Sequence, residues 1–405
     1  MRETRIQTDS RRYYGYVIVA AGFVIQGTIV GAIFTYSVFF DALQVEFGWS
    51  RAVISGASSL TSLVMGFGAM MFGRLSDKIG PRRILSVAGI SITAGYFLMS
   101  RISSPWQLYV AYALFVGAGF GTHDVVTLSA VARWFGRRRG QMSAFVKAGT
   151  GTGQVIGPPA AAALIALFGW RSAYLWIAAA TGPLVILAAQ LMRRDPSDLG
   201  TPHYDRPADE EALGGVPPAR ARDLMRMAPF RRICIAQLAV FFCMPLIIVH
   251  LVPYATDLGI PRALAAGVLS VVGGVSIAGR LVFGGLVDKI GGRRTLICCY
   301  GILLIAFILL QFASTAAMLY VFAVVYGFAH GGIFTTVSPL MAEIFGTRSH
   351  GLLYGTSVFV GTLSGAAGPT VAGAVFDLVG SYRPVFLLLI GLVLIAIWSI
   401  GSLRT

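Results

Sequence analysis

GRLSDKIGPRRIL, residues 73–85, returns as GGLVDKIGGRRTL, residues 284–296. The offset is 211 residues, and it recurs. Gly48 and Arg51 return as Gly259 and Arg262, Gly140 as Gly351, and Gly157-Pro158 as Gly368-Pro369. Many matches at one offset mark an internal duplication, a far more specific signal than any single match. Each copy closes a long apolar run with a Lys/Arg cluster, the pattern of a helix leaving hydrocarbon for a basic aqueous layer.

Composition points the same way. Of 405 residues, 56% are hydrophobic and 12% charged, with a mean hydropathy of +0.76. Soluble domains carry about 25% charge, so so much apolar surface has no water-soluble core to enter. Runs of about 20 apolar residues span a ~30 Å hydrocarbon layer as helix. Twelve such runs are predicted, at about 15–40, 52–74, 84–101, 105–132, 141–167, 171–192, 232–255, 262–287, 295–313, 315–342, 351–376 and 382–402. The first is too long and too poorly flanked for a cleaved signal peptide, so it is read as a retained helix. The long polar stretch between runs six and seven is rich in proline and mixed charge, which reads as a linker. The expected fold is therefore an all-α membrane protein: a six-helix bundle over 1–192, a cytoplasmic linker over 193–231 and a second bundle over 232–405.

The net charge of +15 would suit a nucleic-acid binder, but its placement argues against one. Of the 32 Lys and Arg, 25 fall on the side of the N-terminus and only five, Arg51, Arg101, Arg171, Arg262 and Arg383, on the opposite side. That asymmetry sets topology and predicts cytoplasmic termini. The four cysteines, Cys234, Cys243, Cys298 and Cys299, lie in or beside spans without metal spacing, and are read as apolar packing residues.

GRLSDKIGPRR between helices 2 and 3, repeated between helices 8 and 9, resembles the signature of the major facilitator superfamily. The resemblance covers essentially the whole chain and implies two parallel six-helix repeats, with a binding site at their interface and rocking for alternating access. Gly73 permits close helix approach, Asp77 suits a helix N-terminus, and Arg82 stays in the basic layer. With the second copy, Gly284, Asp288 and Arg293, these residues read as conformational rather than substrate-binding.

No catalytic constellation is present: no Gly-x-Ser-x-Gly, no P-loop, no paired-histidine metal motif. An enzyme and a cofactor are therefore not expected. GTGTG at 149–153 lies inside an apolar run, where close helix packing is the natural reading. The informative residues are ionisable groups within spans, which are costly and usually functional. At 1.5 Å per residue, Asp124 lies ~14 Å, Lys147 ~10 Å and Arg280 ~12 Å from the basic layer. Asp124 has Lys147 on the next helix as its easiest partner, which would leave Arg280 without a counter-ion; pairing with Arg280 would strand Lys147. Either way one positive charge is in surplus, and one bound anion would satisfy it. Arginine cannot shed its proton, and its planar fork matches a carboxylate. It would be merely structural if its donors met backbone carbonyls.

Further stretches sharpen the resemblance. Ala-Gly-Arg-Leu ahead of GGLVDKIGGRR, GYVIVAAGF (15–23), VARWFGRRRGQMSAFVKAGTGTGQVIGPP (131–159) and RRDPSDLG (193–200) are similar to the monocarboxylate transporter family and its bacterial relatives. The family's helix 8 arginine binds substrate carboxylate, a role the resemblance carries to Arg280. Animal members have an aspartate one turn earlier, where this chain has Ser276, and a lysine in helix 1, for which Thr28 is the best counterpart. Their proton relay therefore does not transfer. Related oxalate–formate exchangers use a second cation in helix 11, and run 351–376 has no Lys or Arg, which leaves Lys147 to serve a dicarboxylate.

His250 and Asp257 are seven residues apart, so they share a face if the helix continues, though Pro253 between them invites a kink. Histidine titrates near neutral pH, and the pair reads either as a proton entry or as an outer gate. His123 and His330 are weaker candidates, and Tyr36, Phe241, Tyr254, Tyr326, Phe334 and Phe359 are candidate cavity aromatics. The expected function is import of small monocarboxylates, lactate- or pyruvate-like, in symport with a proton, by a monomer in a bacterial inner membrane. The alternatives are organic-anion exchange of the oxalate–formate type and drug efflux.

Overall fold

Backbone polar groups that cross hydrocarbon have to be paired within the chain, so apolar runs of this length fold as helices. A computed structural model describes residues 13–200 and 221–403, without the side chains at 41, 51, 52, 221, 222, 262, 263 and 266. The basic N-terminal tail, linker residues 201–220, Arg404 and the side chains of Arg51 and Arg262 thus lie outside the described residues. No strand forms among the described residues. The first six long helices are α1 (Gly15–Phe34, continuing past Thr35 as Tyr36–Phe47), α2 (Arg51–Ile79), α3 (Pro81–Met99), α4 (Pro105–Trp134), α5 (139–168) and α6 (170–191). They are followed by α7 (Ala228–Asp257), α8 (Arg262–Ile290), α9 (Gly292–Phe312), α10 (Ala316–Phe345), α11 (His350–Val379) and α12 (Arg383–Gly401).

Local sequence explains the breaks. Helices α5 and α6 are one continuous 53-residue run except at Gly169, whose φ of 75° is left-handed. A side chain there would cost roughly 1–2 kcal/mol. The duplicated motif turns on Gly80 and Gly291, with φ of 88° and 82°, and Pro81 then starts α3, its missing N–H being one that helix initiation leaves unpaired anyway. Within α4, Tyr109–Val116 is wound as π-helix, and Ser91 of α3 donates to the Phe115 carbonyl at 2.7 Å.

Helices α1–α6 form one bundle and α7–α12 the other. In the first, α1 packs on α5, α2 on α4 and α3 on α6; in the second, α7 packs on α11, α8 on α10 and α9 on α12. GTGTG serves the α1–α5 contact: a Cβ at Gly149 or Gly153 would overlap the carbonyl of Phe23 or Gly27. Small residues of this kind let helix backbones meet where no water drives them together.

The bundles meet along two seams, α2 with α11 and α5 with α8. Gly73 lies against the Gly351 backbone, and Gly140 against that of Gly284. Farther along, Gly66 meets Thr362 and Gly151 meets Ile277. Each pair becomes the other when 211 is added to one member and subtracted from its partner, so the sequence offset is realised as a pseudo-two-fold axis between the bundles. Large apolar residues such as Val87, Ile90, Leu187 and Trp398 stay exposed on the outer faces, as a lipid solvent permits.

The first and last described residues lie at one end of the molecule. Tyr13 donates to the carbonyl of Trp134 at the end of α4, and Tyr14 to that of Leu191 at the end of α6. Arg232, early in α7, donates to the Ser402 carbonyl just past α12. The duplicated motifs open onto this same basic end.

Candidate functional site

At mid-depth, five helices bring polar groups to one place. Asp124 of α4 accepts from Lys147 Nζ of α5 at 2.7 Å, from Gln26 Nε2 of α1 at 3.0 Å and from Tyr354 Oη of α11 at 2.7 Å. Gln26 is itself held: Thr150 donates to its oxygen at 2.7 Å, and its amide also reaches Thr127 Oγ1 at 3.0 Å. The carboxylate therefore sits in a cage of donors, one of which comes from the opposite bundle. Lys147 is 4% exposed and its ammonium lies 5.4 Å from the centre of the Phe334 ring of α10, a cation–π arrangement.

Arg280 of α8 is in electrostatic range of Asp124, Lys147 and His330. It is 2% exposed. Its only hydrogen bond among the described residues runs from Nη1 to Ser276 Oγ at 3.2 Å, and its Nε is buried without any partner. Ser276 spends its own proton on the Gly273 carbonyl at 2.7 Å. Among the described residues no backbone carbonyl receives Arg280, so the structural reading in which carbonyls satisfy it is not the arrangement found there. Small residues admit the side chain: Gly331 lets α10 close on the Ser276 backbone, and a Cβ at Gly151 of α5 would lie 2.7 Å from Arg280 Nη1. Asp124 thus pairs with Lys147, and the surplus charge rests on Arg280. Leaving a buried charge uncompensated costs several kcal/mol, which an anion between the bundles would offset.

The other candidates fall in different places. His330 of α10 approaches the cluster, its Nδ1 3.1 Å from Met244 Sδ and its ring 4.9 Å from Phe334. Phe359 of α11 meets Phe67 of α2 edge-on at the seam, with 6.4 Å between ring centres. Thr28 is half-buried on α1, and its side chain makes no hydrogen bond among the described residues. Tyr36 is not brought to Arg280: it stacks on Tyr112 at 4.0 Å and donates to the Ile54 carbonyl at 2.7 Å, inside the first bundle. His250 and Asp257 do not meet. His250 lies 2.9 Å from the Pro369 carbonyl through Nε2 and 3.0 Å from the Tyr382 hydroxyl through Nδ1, while Asp257 is exposed. A carbonyl only accepts, so Nε2 carries a proton.

The duplicated motif closes the basic end. Asp77 accepts from Gly351 N at 3.2 Å and Leu352 N at 3.0 Å, at the start of α11. Asp288 accepts from Gly140 N at 2.6 Å and Gln141 N at 2.8 Å, at the start of α5. Each aspartate belongs to one bundle and caps a helix of the other, where the helix dipole favours an anion. Arg82 and Arg293 act within their own bundles. Arg82 Nε donates to Gln190 at 2.7 Å, and Arg293 donates to the carbonyls of Ile400 and Gly401 at the end of α12.

Sequence reasoning passed over Gln26 and Tyr354. Gln26 carried a usable signal, as the one amide within an otherwise apolar first run. Tyr354 carried none, because one tyrosine in an aromatic-rich span does not announce a carboxylate beside it.

The comparisons with known proteins fit this construction. The rat protein "Monocarboxylate transporter 13" is 28% identical over 375 residues, covering 92% of this chain and 85% of its own. The oxalate:formate antiporter of Oxalobacter formigenes is 27% identical over 372 residues, covering 88% and 84%. Among solved structures, the human organic anion transporter MFSD10 superposes with a TM-score of 0.73 at 18% identity, over 95% of this chain and 99% of that one. The E. coli fucose:proton symporter FucP gives 0.74 at 15% identity, over 97% and 100%. At those identities the two structures speak for the fold alone. The profile described as Major Facilitator Superfamily matches residues 22–306 and 233–404. Two latched six-helix bundles, a 211-residue repeat and a buried polar site between them thus have one common explanation: this multi-pass membrane protein is a transporter of the major facilitator superfamily.

Proposed function

We propose that the chain carries small monocarboxylates, lactate- or pyruvate-like, in symport with a proton, and that Arg280 grips the carboxylate. The observation that carries this reading is the buried Arg280 guanidinium, with Nε unpartnered and the nearby aspartate already committed to Lys147. Relatives named for monocarboxylates and for oxalate and formate add support. Because Lys147 is spent on Asp124, a second anionic group finds no free cation beside Arg280, which favours one carboxylate over two and symport over oxalate-type exchange. Anion and proton together move no net charge, so import would not oppose an inside-negative potential.

The rest of the reading follows. The basic end faces the cytoplasm of a bacterial inner membrane, residues 193–231 link the two bundles, and the monomer is the working unit. Thr28, His330 and Phe359 border the path of the anion, and Asp124, His250 and Asp257 are the coupling and gating groups. Tyr36, held inside its own bundle, drops out of the substrate shell.

The test is uptake of labelled lactate, pyruvate, acetate and oxalate into proteoliposomes, with and without an inward proton gradient. Saturable, gradient-driven uptake of the monocarboxylates is expected. Arg280→Ala should abolish it, and Arg280→Lys should lower uptake at low substrate at least tenfold, because the fork is lost. Normal uptake by Arg280→Ala would sink the clamp. For coupling, His250→Gln, Asp257→Asn and Asp124→Asn are compared in accumulation and in counterflow. A coupling residue loses the first and keeps the second; unchanged accumulation removes that residue from the scheme.

A further inference from the structure

The stretch RRDPSDLG, 193–200, has no part in the site just described. It ends α6, makes one turn of 3₁₀ helix at Pro196–Leu199, and walls one side of a cavity of about 460 Å³ at the basic end. The cavity lies between the bundles. Arg133 closes α4 of the first bundle, Arg194 follows α6, and Thr347 and Arg348 come from the α10–α11 turn of the second. Its volume is that of an ordinary small-ligand pocket, about 300–1,000 Å³.

Three guanidiniums meet there. Arg133 is 5% exposed; Nη2 is paired with Asp77 and Nε donates to the Thr347 carbonyl at 3.3 Å, but Nη1 is buried with no partner. The side chains of Arg194 and Arg348 have no hydrogen bond or ion pair among the described residues. Two carboxylates, Asp195 and Asp198, also line the cavity, and both are drawn into the turn's own backbone. Asp198 Oδ2 accepts from Arg194 N at 3.2 Å and Asp195 N at 3.3 Å, and Asp195 Oδ1 accepts from Ser197 N at 3.0 Å. The donors left over at the cavity are those of Arg194 and Arg348, with the Ser197 hydroxyl beside them; the buried Arg133 adds its charge behind them. Guanidinium donors supplied by both bundles suit a tetrahedral oxyanion, which accepts from many directions at once.

We propose that this cavity binds a phosphate group, and that the bound anion holds the two bundles in the closed state of the basic end. The bridging follows from the lining: one anion would be held by Arg194 of the first bundle and by Arg348 of the second, in the field of the buried Arg133. Opening the basic end separates those elements and dissolves the site, so the anion binds this state in preference to the open one. The same phosphate chemistry is offered by a soluble phosphate ester and by a phospholipid headgroup.

The test uses the whole purified protein in nanodiscs of phosphatidylcholine. Inorganic phosphate is compared with chloride at equal ionic strength, and separate discs contain phosphatidylglycerol. Phosphate, or phosphatidylglycerol, should raise the unfolding midpoint by about 2 °C near saturation. Arg194→Gln with Arg348→Gln should remove the rise while leaving the midpoint in chloride unchanged. Arg348→Gln alone, at an exposed position, serves as a second variant if the pair folds poorly. In proteoliposomes, phosphate on the basic side should slow transport about fivefold, an ordinary size for coupling between sites, and the variants should escape the slowing. A response to phosphate in plain discs assigns a soluble anion, and a response to phosphatidylglycerol alone assigns the headgroup. No response to either, or a response kept by the variants, overturns the site; a rise in midpoint without slowing overturns the latching. These readouts need no carboxylate to bind at Arg280, so the two proposals fail independently.

Discussion

Arg280, Asp124 and Lys147 were legible in the sequence because a charge inside an apolar run has no cheap explanation. Their pairing was not, since depth alone allowed two schemes. The fold chose by placing Lys147 at 2.7 Å from Asp124 and surrounding that carboxylate with Gln26 and Tyr354. This cage has a measurable consequence. Asp124→Asn leaves Lys147 buried beside Arg280 with no anion, at a cost of about 3–5 kcal/mol. Lys147→Met leaves Asp124 with two donors, so the loss should be smaller. Unfolding midpoints of the two variants, measured without substrate, check the order; equal losses would mean that Gln26 and Tyr354 contribute nothing to the carboxylate.

Within helix α5, GTGTG illustrates how position on a helix divides one motif into two functions. Gly149 faces the α1 backbone, whereas Gly151 faces Ile277 and Arg280 across the seam. Gly149→Val should therefore lower the unfolding midpoint by several degrees, since neither backbone has room to yield. Gly151→Val should fold, because a guanidinium can shift, but should raise the KM for the proposed monocarboxylate substrate about tenfold by displacing Arg280. Uptake kinetics with unfolding midpoints separate the two, and an unchanged KM in Gly151→Val would count against Arg280 as the binding group. The sequence marked the whole motif as packing; which glycine faces which neighbour required the helix to be placed.

At the level of the molecule, the pseudo-two-fold axis predicts that matched changes act alike. Asp77→Asn and Asp288→Asn each remove a charged acceptor from two amides of the opposite bundle, and Asp77→Asn in addition takes the ion-pair partner from the buried Arg133. A charge-assisted bond contributes about 1.5–3 kcal/mol, so either change should raise the population open at the basic end about tenfold. Spin labels at Arg137→Cys and Lys289→Cys, on exposed positions of the two bundles, would report it as a longer-distance population. A shift in only one variant would show that the axis relates the backbones but not the energetics.

Span number, the duplication and the depth of each charge are written along the chain, because hydrocarbon thickness and the cost of burying charge act on local sequence. Only folding could reveal that the repeat is an exchange: each motif aspartate caps the other bundle's helix, a relation between residues 274 positions apart in one case. The same holds for Arg280. Ala69 stands at its equivalent place in the first half, so its asymmetry is visible in the letters. Its lack of a partner is not, because a counter-ion can come from any helix, and the packing of the helices decides which one arrives.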